Sequence, residues 1–216
     1  WPAFTETVSG ISKYEYAIGS SSGGTNVVDW TNNNTDTSVT KAGLTLTNGT
    51  AYYISVKATD NAENESTTIT SDGVIVDTDG PISGTVLDGT SADIDWTNST
   101  SSLTATWSGF SDTLSGIQKY EYAIGTEIDS FSLVNWTSTD LDTFFVESDL
   151  TLISSEIYYV FVVATDLVSN TGNISASDGI TVDPIVPLVG ELYDGSESED
   201  LDWQSSDSTF ALYWSG

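Results

Sequence analysis

Large apolar side chains recur at every second position in short runs along this chain. In Tyr14-Glu15-Tyr16-Ala17-Ile18 they place Tyr14, Tyr16 and Ile18 on one face of a strand. Leu103, Ala105 and Trp107 alternate in the same way, as do Tyr52, Ile54, Val56 and Ala58, and Tyr158, Val160, Val162 and Ala164. Clusters of Gly, Asn, Asp and Ser separate these runs, which is the chemistry that turns require. No segment carries a 3.6-residue apolar stripe. The pattern predicts an all-β protein made of several short strands per hundred residues, as in a β-sandwich.

The strands repeat. The heptapeptide Lys-Tyr-Glu-Tyr-Ala-Ile-Gly occurs at Lys13–Gly19 and again at Lys119–Gly125, a shift of 119 − 13 = 106. The same shift pairs Trp30 with Trp136, Leu46 with Leu152, Tyr52-Tyr53 with Tyr158-Tyr159, Asp60 with Asp166, Asp72-Gly73 with Asp178-Gly179 and Pro81 with Pro187. After one inserted residue near Glu197–Glu199 the shift becomes 107, pairing Trp96 with Trp203 and Trp107 with Trp214. Nearly the whole chain is therefore one unit of about 106 residues, read twice.

These residues resemble the fibronectin type III family, an immunoglobulin-like β-sandwich. The resemblance rests on Trp107 in "LTATWSGF", Tyr120 in "QKYEYAIG", and the corner Leu46-Thr47-Asn48-Gly49-Thr50-Ala51-Tyr52 with the following "YYISVKATDNAEN". In the second copy the corner reads Leu152-Ile153-Ser154-Ser155-Glu156-Ile157-Tyr158, with Ser where Gly is usual. The resemblance implies a core built on Tyr14, Leu46, Tyr52, Trp107, Tyr120, Leu152, Tyr158 and Trp214. It also implies tandem repeats of the kind found in large microbial surface proteins.

Asp, Gly and Pro break the strand pattern at Val76–Pro81 and Val182–Pro187, which suits inter-domain joints. Residues 79–184 then form a complete sandwich. Residues 1–78 form one lacking its first strand and most of its second, and 185–216 supply the first two strands of a further unit. The inward residues equivalent to Phe210, Leu212 and Trp214 would contribute about 1.5–3 kcal/mol each, so their loss costs about 5–9 kcal/mol, comparable with the stability of a small domain. Residues 1–78 therefore call for completion, either by flanking sequence or by the 185–216 tail of a neighbouring copy. Both routes imply head-to-tail growth. In the second, Trp214-Ser215-Gly216 and Trp1-Pro2-Ala3 claim the same positions.

Charge narrows the partners. Thirty-two Asp and Glu face four Lys, with no Arg and no His, for a net charge of −28. Nucleic acid and anionic lipid are excluded as partners because both need basic contacts. No run is apolar enough to span a membrane. Cys is absent, so neither disulfides nor thiol chemistry contribute, and Cys- and His-based catalytic or zinc constellations are ruled out. No Gly-rich phosphate loop is present either, and the reading is non-enzymatic.

The remaining chemistry is acidic and borne on loops. Asp88, Asp93 and Asp95, Asp194, Asp200 and Asp202, Asp77 and Asp79 in the first joint, and Asp60 with Asn61 and Asn64 after the sixth strand offer hard oxygen ligands for calcium. The plain alternative is that they serve as turn residues on a solvated acidic surface. Trp30 and Trp136 offer sugar-stacking surfaces, or else pack along a sheet edge. Asn33, Asn48, Asn64, Asn98, Asn135 and Asn173 head Asn-x-Ser/Thr sequons, a glycosylation signal in an exported protein. Together these readings point to a structural component of an extracellular filament or cell-surface fibre. The alternative is an adhesin stalk or a carbohydrate-binding or spacer module.

Overall fold

The structure is a computed structural model that describes residues 1, 4–127, 130–194, 202–203, 205–206, 208–209 and 211–215. Every regular element among them is a strand, and no helix is long and apolar enough to cross a membrane.

Residues 82–182 make a two-layer sandwich. Its strands are β6 (Thr85–Asp88), β7 (Trp96–Thr97), β8 (Leu103–Ser108), β9 (Ile117–Gly125), β10 (Val134–Asp140), β11 (Phe144–Glu147), β12 (Ile157–Asp166), β13 (Ser175–Ala176) and β14 (Ile180–Val182), preceded in the chain by five described below. One sheet runs β11-β8-β6; the other runs β10-β9-β12-β14-β7, with β13 also pairing β12. This is the strand order of a fibronectin type III or immunoglobulin-like sandwich. Pairing is antiparallel except between β14 and β7, where Thr181 stands opposite Trp96 and Val182 opposite Thr97 in a parallel ladder. The alternating apolar set of each sheet turns inward. Val86, Leu103, Ala105, Trp107 and Phe145 meet Tyr120, Tyr122, Ile124, Tyr158, Val160 and Val162 in one buried cluster. The ring of Trp107 meets Tyr120 edge-on at 5.9 Å, and Tyr122 stacks on Phe145 across the sheets at 4.0 Å.

Residues 11–75 repeat only the second of these layers. Here β1 (Ile11–Gly19), β2 (Val28–Asn32), β3 (Ala51–Asp60), β4 (Ile69–Thr70) and β5 (Val74–Ile75) form a single sheet ordered β2-β1-β3-β4, with β5 also pairing β3. Its register matches the other unit position for position: Tyr14, Tyr16 and Ile18 oppose Ala58, Val56 and Ile54, just as Tyr120, Tyr122 and Ile124 oppose Ala164, Val162 and Val160. Among the described residues no second sheet is laid against it. Ser38–Lys41 corresponds to β11, whose ladder runs only to β8, and with nothing equivalent to β8 beside it that stretch is not a strand.

Both copies close the corner before β3 or β12 with the tyrosine hydroxyl. Thr47 N donates to Tyr52 Oη at 2.9 Å and Ile153 N to Tyr158 Oη at 3.0 Å. Ser155 takes the left-handed backbone that Gly49 takes, with φ of 67° against 73°. The departure from Gly therefore leaves the turn intact at a cost of about 1–2 kcal/mol in backbone strain.

A separate hairpin pairs β15 (Glu191–Asp194) with β16 (Leu212–Ser215). Its register reproduces that of β6 with β8: Leu192 opposes Trp214 as Val86 opposes Trp107.

Two expected core residues are corrected here. Leu46 is 39% exposed where its counterpart Leu152 is 6%, and Trp214 is 73% exposed where Trp107 is 4%. Each points toward a layer that this chain does not lay against it. Tyr14, Tyr52, Trp107, Tyr120, Leu152 and Tyr158 are buried. Trp96 and Trp203 stand in solvent and cover no core.

Candidate functional site

Turn chemistry and the repeat register bring three features together: an acidic joint, a carboxylate cluster at one end of the sandwich, and an uncovered apolar face.

The joint is built on the loop that follows β12. Asp166 Oδ1 accepts the N–H groups of Val168 and Asn170, at 2.9 and 2.8 Å, and Oδ2 accepts Asn170 Nδ2 at 2.8 Å. Asp60 holds the corresponding loop in the first unit through Ala62 N, Asn64 N and Asn64 Nδ2. For Asp166, burial acts to raise the carboxyl pKa, but the donors of Asn170 and Val168 outweigh it and hold the group below its usual range. Asp60 is held low chiefly by the side chain and backbone of Asn64. The segment between the two units lies on this loop. Asn170 Nδ2 reaches the carbonyls of Asp77 and Asp79, and Ser115 N donates to Asp77 Oδ2 at 3.1 Å. On the other side Asn48 Nδ2 donates to Asp79 Oδ2 at 2.7 Å, and Thr78 N donates to Asn48 Oδ1. The contact is tight: a Cβ on Gly80 would stand 2.4 Å from Thr171 O, and one on Gly172 would stand 2.3 Å from Pro81 O. Asp77, Asp112 and Asp166 each place one carboxylate oxygen within 4.8 Å of the other two. N–H donors already engage all three groups, since Asp112 Oδ1 takes Leu114 N and Gly116 N.

The second cluster is Asp88, Asp93 and Asp178, again with oxygens within 4.8 Å of one another. Asp88 ends β6 and is fully buried, whereas Asp93 and Asp178 are exposed. Gly89, at φ 105°, turns the chain so that Asp93 Oδ1 accepts Asp88 N at 3.0 Å. Asp88 Oδ2 accepts Gly179 N at 3.1 Å, while Oδ1 is buried with no hydrogen-bond partner. Burial pushes the Asp88 carboxyl up to about 6. The charges of Asp93 and Asp178 act in the same direction, opposed by the nearby Ser177 hydroxyl and the Gly179 N–H.

The expected calcium ligands thus divide. Asp77 joins the first cluster, and Asp88 and Asp93 join the second. Asp79 and Asp60 are taken up by hydrogen bonds, and Asn64 caps Asp60. Asp95 and Asp202 are exposed outside both clusters, Asp194 sits in β15, and Asp200 lies outside the described residues. Asp112, Asp166 and Asp178 were not foreseen as ligands. The repeat carried a signal for one of them, because Asp166 is Asp60 shifted by 106.

The third feature is the side of β1 and β3 that faces no second sheet. Ile54 is 42% exposed where Val160 is 0%, and Val74 in β5 is open to solvent as well. Trp1 and Phe4 fill part of this space by packing on Tyr14 at 6.0 and 5.8 Å, as Trp107 and Phe110 pack on Tyr120. A groove of about 380 Å³ remains, lined by Trp1, Ile54, Val56, Ile69, Thr70 and Ser71.

Neither candidate sugar platform is a free ring. Trp30 is half-buried with Lys57 Nζ 5.1 Å above it, and half-buried Trp136 packs on Phe131 at 4.8 Å. Among the sequons, Asn98, Asn135 and Asn173 are exposed. Asn33, Asn48 and Asn64 commit Nδ2, the atom a glycan would take, to hydrogen bonds.

No family model and no curated protein matches the chain. Among solved structures, the FN1–FN3 domains of chicken CNTN1 are similar at 15% identity and a TM-score of 0.40, over 79% of this chain. The chain spans 56% of that structure's length.

Proposed function

We propose that this chain is a structural segment of an extracellular filament or microbial surface fibre, built from β-sandwich repeats joined head to tail. Residues 79–184 act as a complete rod element, and the open face of 1–78 receives the β15–β16 hairpin of a second copy. The observation that carries this reading is complementarity. The hairpin exposes Leu192, Leu212 and Trp214 in the register by which β6 and β8 bury Val86, Ala105 and Trp107, while Ile54 of β3 and Val74 of β5 stay open beside the buried Tyr14, Tyr16 and Val56, where such a hairpin would add cover. Burying each large side chain contributes about 1.5–3 kcal/mol, so a handful suffices to hold copies together. Since the two faces are different surfaces of one chain, the contact is heterologous and propagates head to tail wherever the rotation between copies does not close a ring. Trp1, resting on Tyr14, occupies the place that Trp214 would take, and docking displaces it.

The role is mechanical. The joint, with Asn170 and Asn48 clasping Asp77–Asp79 from either side, fixes one unit against the next. A surface with net charge −28 keeps rods apart laterally. Six sequons and 63 Ser and Thr in 216 residues support an exported setting.

Sedimentation and negative-stain electron microscopy of the full chain test the reading. Filaments with a repeat of one or two sandwiches are expected. Trp214→Asp should abolish them, and Trp1→Ala should promote them by vacating the acceptor. A chain that stays monomeric at high concentration, with or without Trp1, overturns the proposal.

A further inference from the structure

A buried carboxylate oxygen without a donor is expensive in any protein, because burial removes its water and nothing replaces it. Asp88 Oδ1 is such an atom, in a side chain that is fully buried. The surroundings of the side chain make matters worse, since Asp93 and Asp178 each bring a carboxylate oxygen within 4.8 Å of one of its oxygens. None of the cations this chain owns relieves the charge: Lys13, Lys57 and Lys119 pair with Glu15, Glu65 and Glu121, and Lys41 stands in solvent beside the first unit. Three carboxylates drawn from separate segments, one of them buried with an oxygen that no N–H group reaches and only the Ser177 hydroxyl nearby, offer the hard oxygens that a divalent cation takes.

We infer that Asp88, Asp93 and Asp178 hold a single calcium ion that ties the end of β6 to the turn entering β14. Oxygens bound to one calcium at about 2.4 Å can be no more than about 4.8 Å apart, a condition that all three groups meet. Calcium takes six to eight oxygens in irregular arrangements, and the exposed carboxylates of Asp93 and Asp178 leave room for water to complete the shell. Magnesium demands a stricter octahedron, which two mobile exposed side chains supply poorly.

The position gives the ion a task. β6 belongs to one sheet of the sandwich and β14 to the other, and at this end the Gly179 N–H to Asp88 Oδ2 bond and the neighbouring Ser177 hydroxyl join the two segments. A cation held by Asp88 and Asp178 staples the layers, while Asp93 folds the β6–β7 loop over it. The joint cluster of Asp77, Asp112 and Asp166 differs, because backbone and side-chain N–H groups already engage each of its carboxylates. The inference concerns the second sandwich alone, so it stands or fails separately from assembly.

The test uses the full chain at physiological salt, which suppresses diffuse binding by the acidic surface, with calcium, magnesium or chelator added. Titration calorimetry should show one specific calcium site. Peptide-resolved hydrogen exchange should show slower exchange in Thr85–Asp88 and Ile180–Val182 on calcium addition. Asp178→Asn, at an exposed position that leaves the core untouched, should weaken calcium binding at least tenfold and remove that protection, and Asp93→Asn should do the same. Asp112→Asn should leave both readouts unchanged. The inference is overturned if calcium leaves those two segments unprotected, if Asp178→Asn and Asp93→Asn bind as the parent does, if Asp112→Asn removes the effect, or if magnesium protects equally at equal concentration.

Discussion

Replacing Asp88 by Asn isolates the energetics of one buried charge. The carboxyl is raised from 3.8 in the unfolded chain to about 6 in the fold. Between those values the folded state binds the extra proton, so stability is greatest below about 4 and falls as pH rises through about 6. The shift of roughly two units, at 1.36 kcal/mol per unit, corresponds to about 3 kcal/mol lost from the second sandwich between pH 4 and pH 7. The groups facing Asp88 strengthen this trend, because Asp93 and Asp178 carry the same charge. Asp88→Asn keeps the shape and an oxygen for the Gly179 N–H but cannot ionise. In chelator the variant should therefore match or trail the parent at pH 4 and exceed it by up to about 3 kcal/mol at pH 7. Urea unfolding by near-ultraviolet circular dichroism, across that pH range, reads the difference between the two proteins and cancels the contribution of the first unit. A constant difference at all pH values, or a parent whose stability relative to the variant climbs from pH 4 to 6, would refute the reasoning.

Other changes probe the rest of the fold. Ser155→Gly should stabilise the second sandwich by about 1 kcal/mol in the same unfolding assay by relieving the left-handed serine, whereas Gly49→Ala should cost about as much in the first unit. Trp107→Ala should cost about 3–5 kcal/mol and abolish protection of β8 and β12 in hydrogen exchange, because its ring is shared by Tyr120 and Phe145. Asp60 and Asp166 are held below their usual range, so their contribution is present above about pH 4 and is lost as pH falls through their lowered values. Acid titration of Asn170→Ala should show the second unit losing this acid-sensitive increment while the first keeps its own.

Much of this architecture was legible in the residues. Alternation located β1, β3, β8 and β12, and the resemblance to fibronectin type III implied that Trp107 and Tyr120 would be buried. Periodicity states which face of a strand is apolar, but it does not state whether another sheet lies there. Leu46 and Leu152 are indistinguishable in sequence for that reason, yet one is exposed. Likewise Ser38–Lys41 fails as a strand for want of a neighbour rather than for want of pattern. The carboxylate clusters join residues up to 90 positions apart, such as Asp88 and Asp178. Only the fold could reveal those meetings, although carrying Asp60 forward by one repeat would have flagged Asp166. The parallel pairing of β7 with β14 left no mark in the alternation, since it involves only two residues on each strand.

That short ladder governs how the sandwich answers tension. A pull applied at both ends loads the β6–β8 ladder first, and once β6 is stripped it drags β7 backward and β14 forward along a common axis. The bonds from Thr181 N to Asp95 O and from Asp183 N to Thr97 O, at 2.8 and 2.7 Å, are then strained side by side instead of being unzipped in turn. They must rupture together, so the force at which the element yields is set by the barrier to that concerted slip. A stretched strand of such units would hold its length up to a sharp threshold and then extend abruptly.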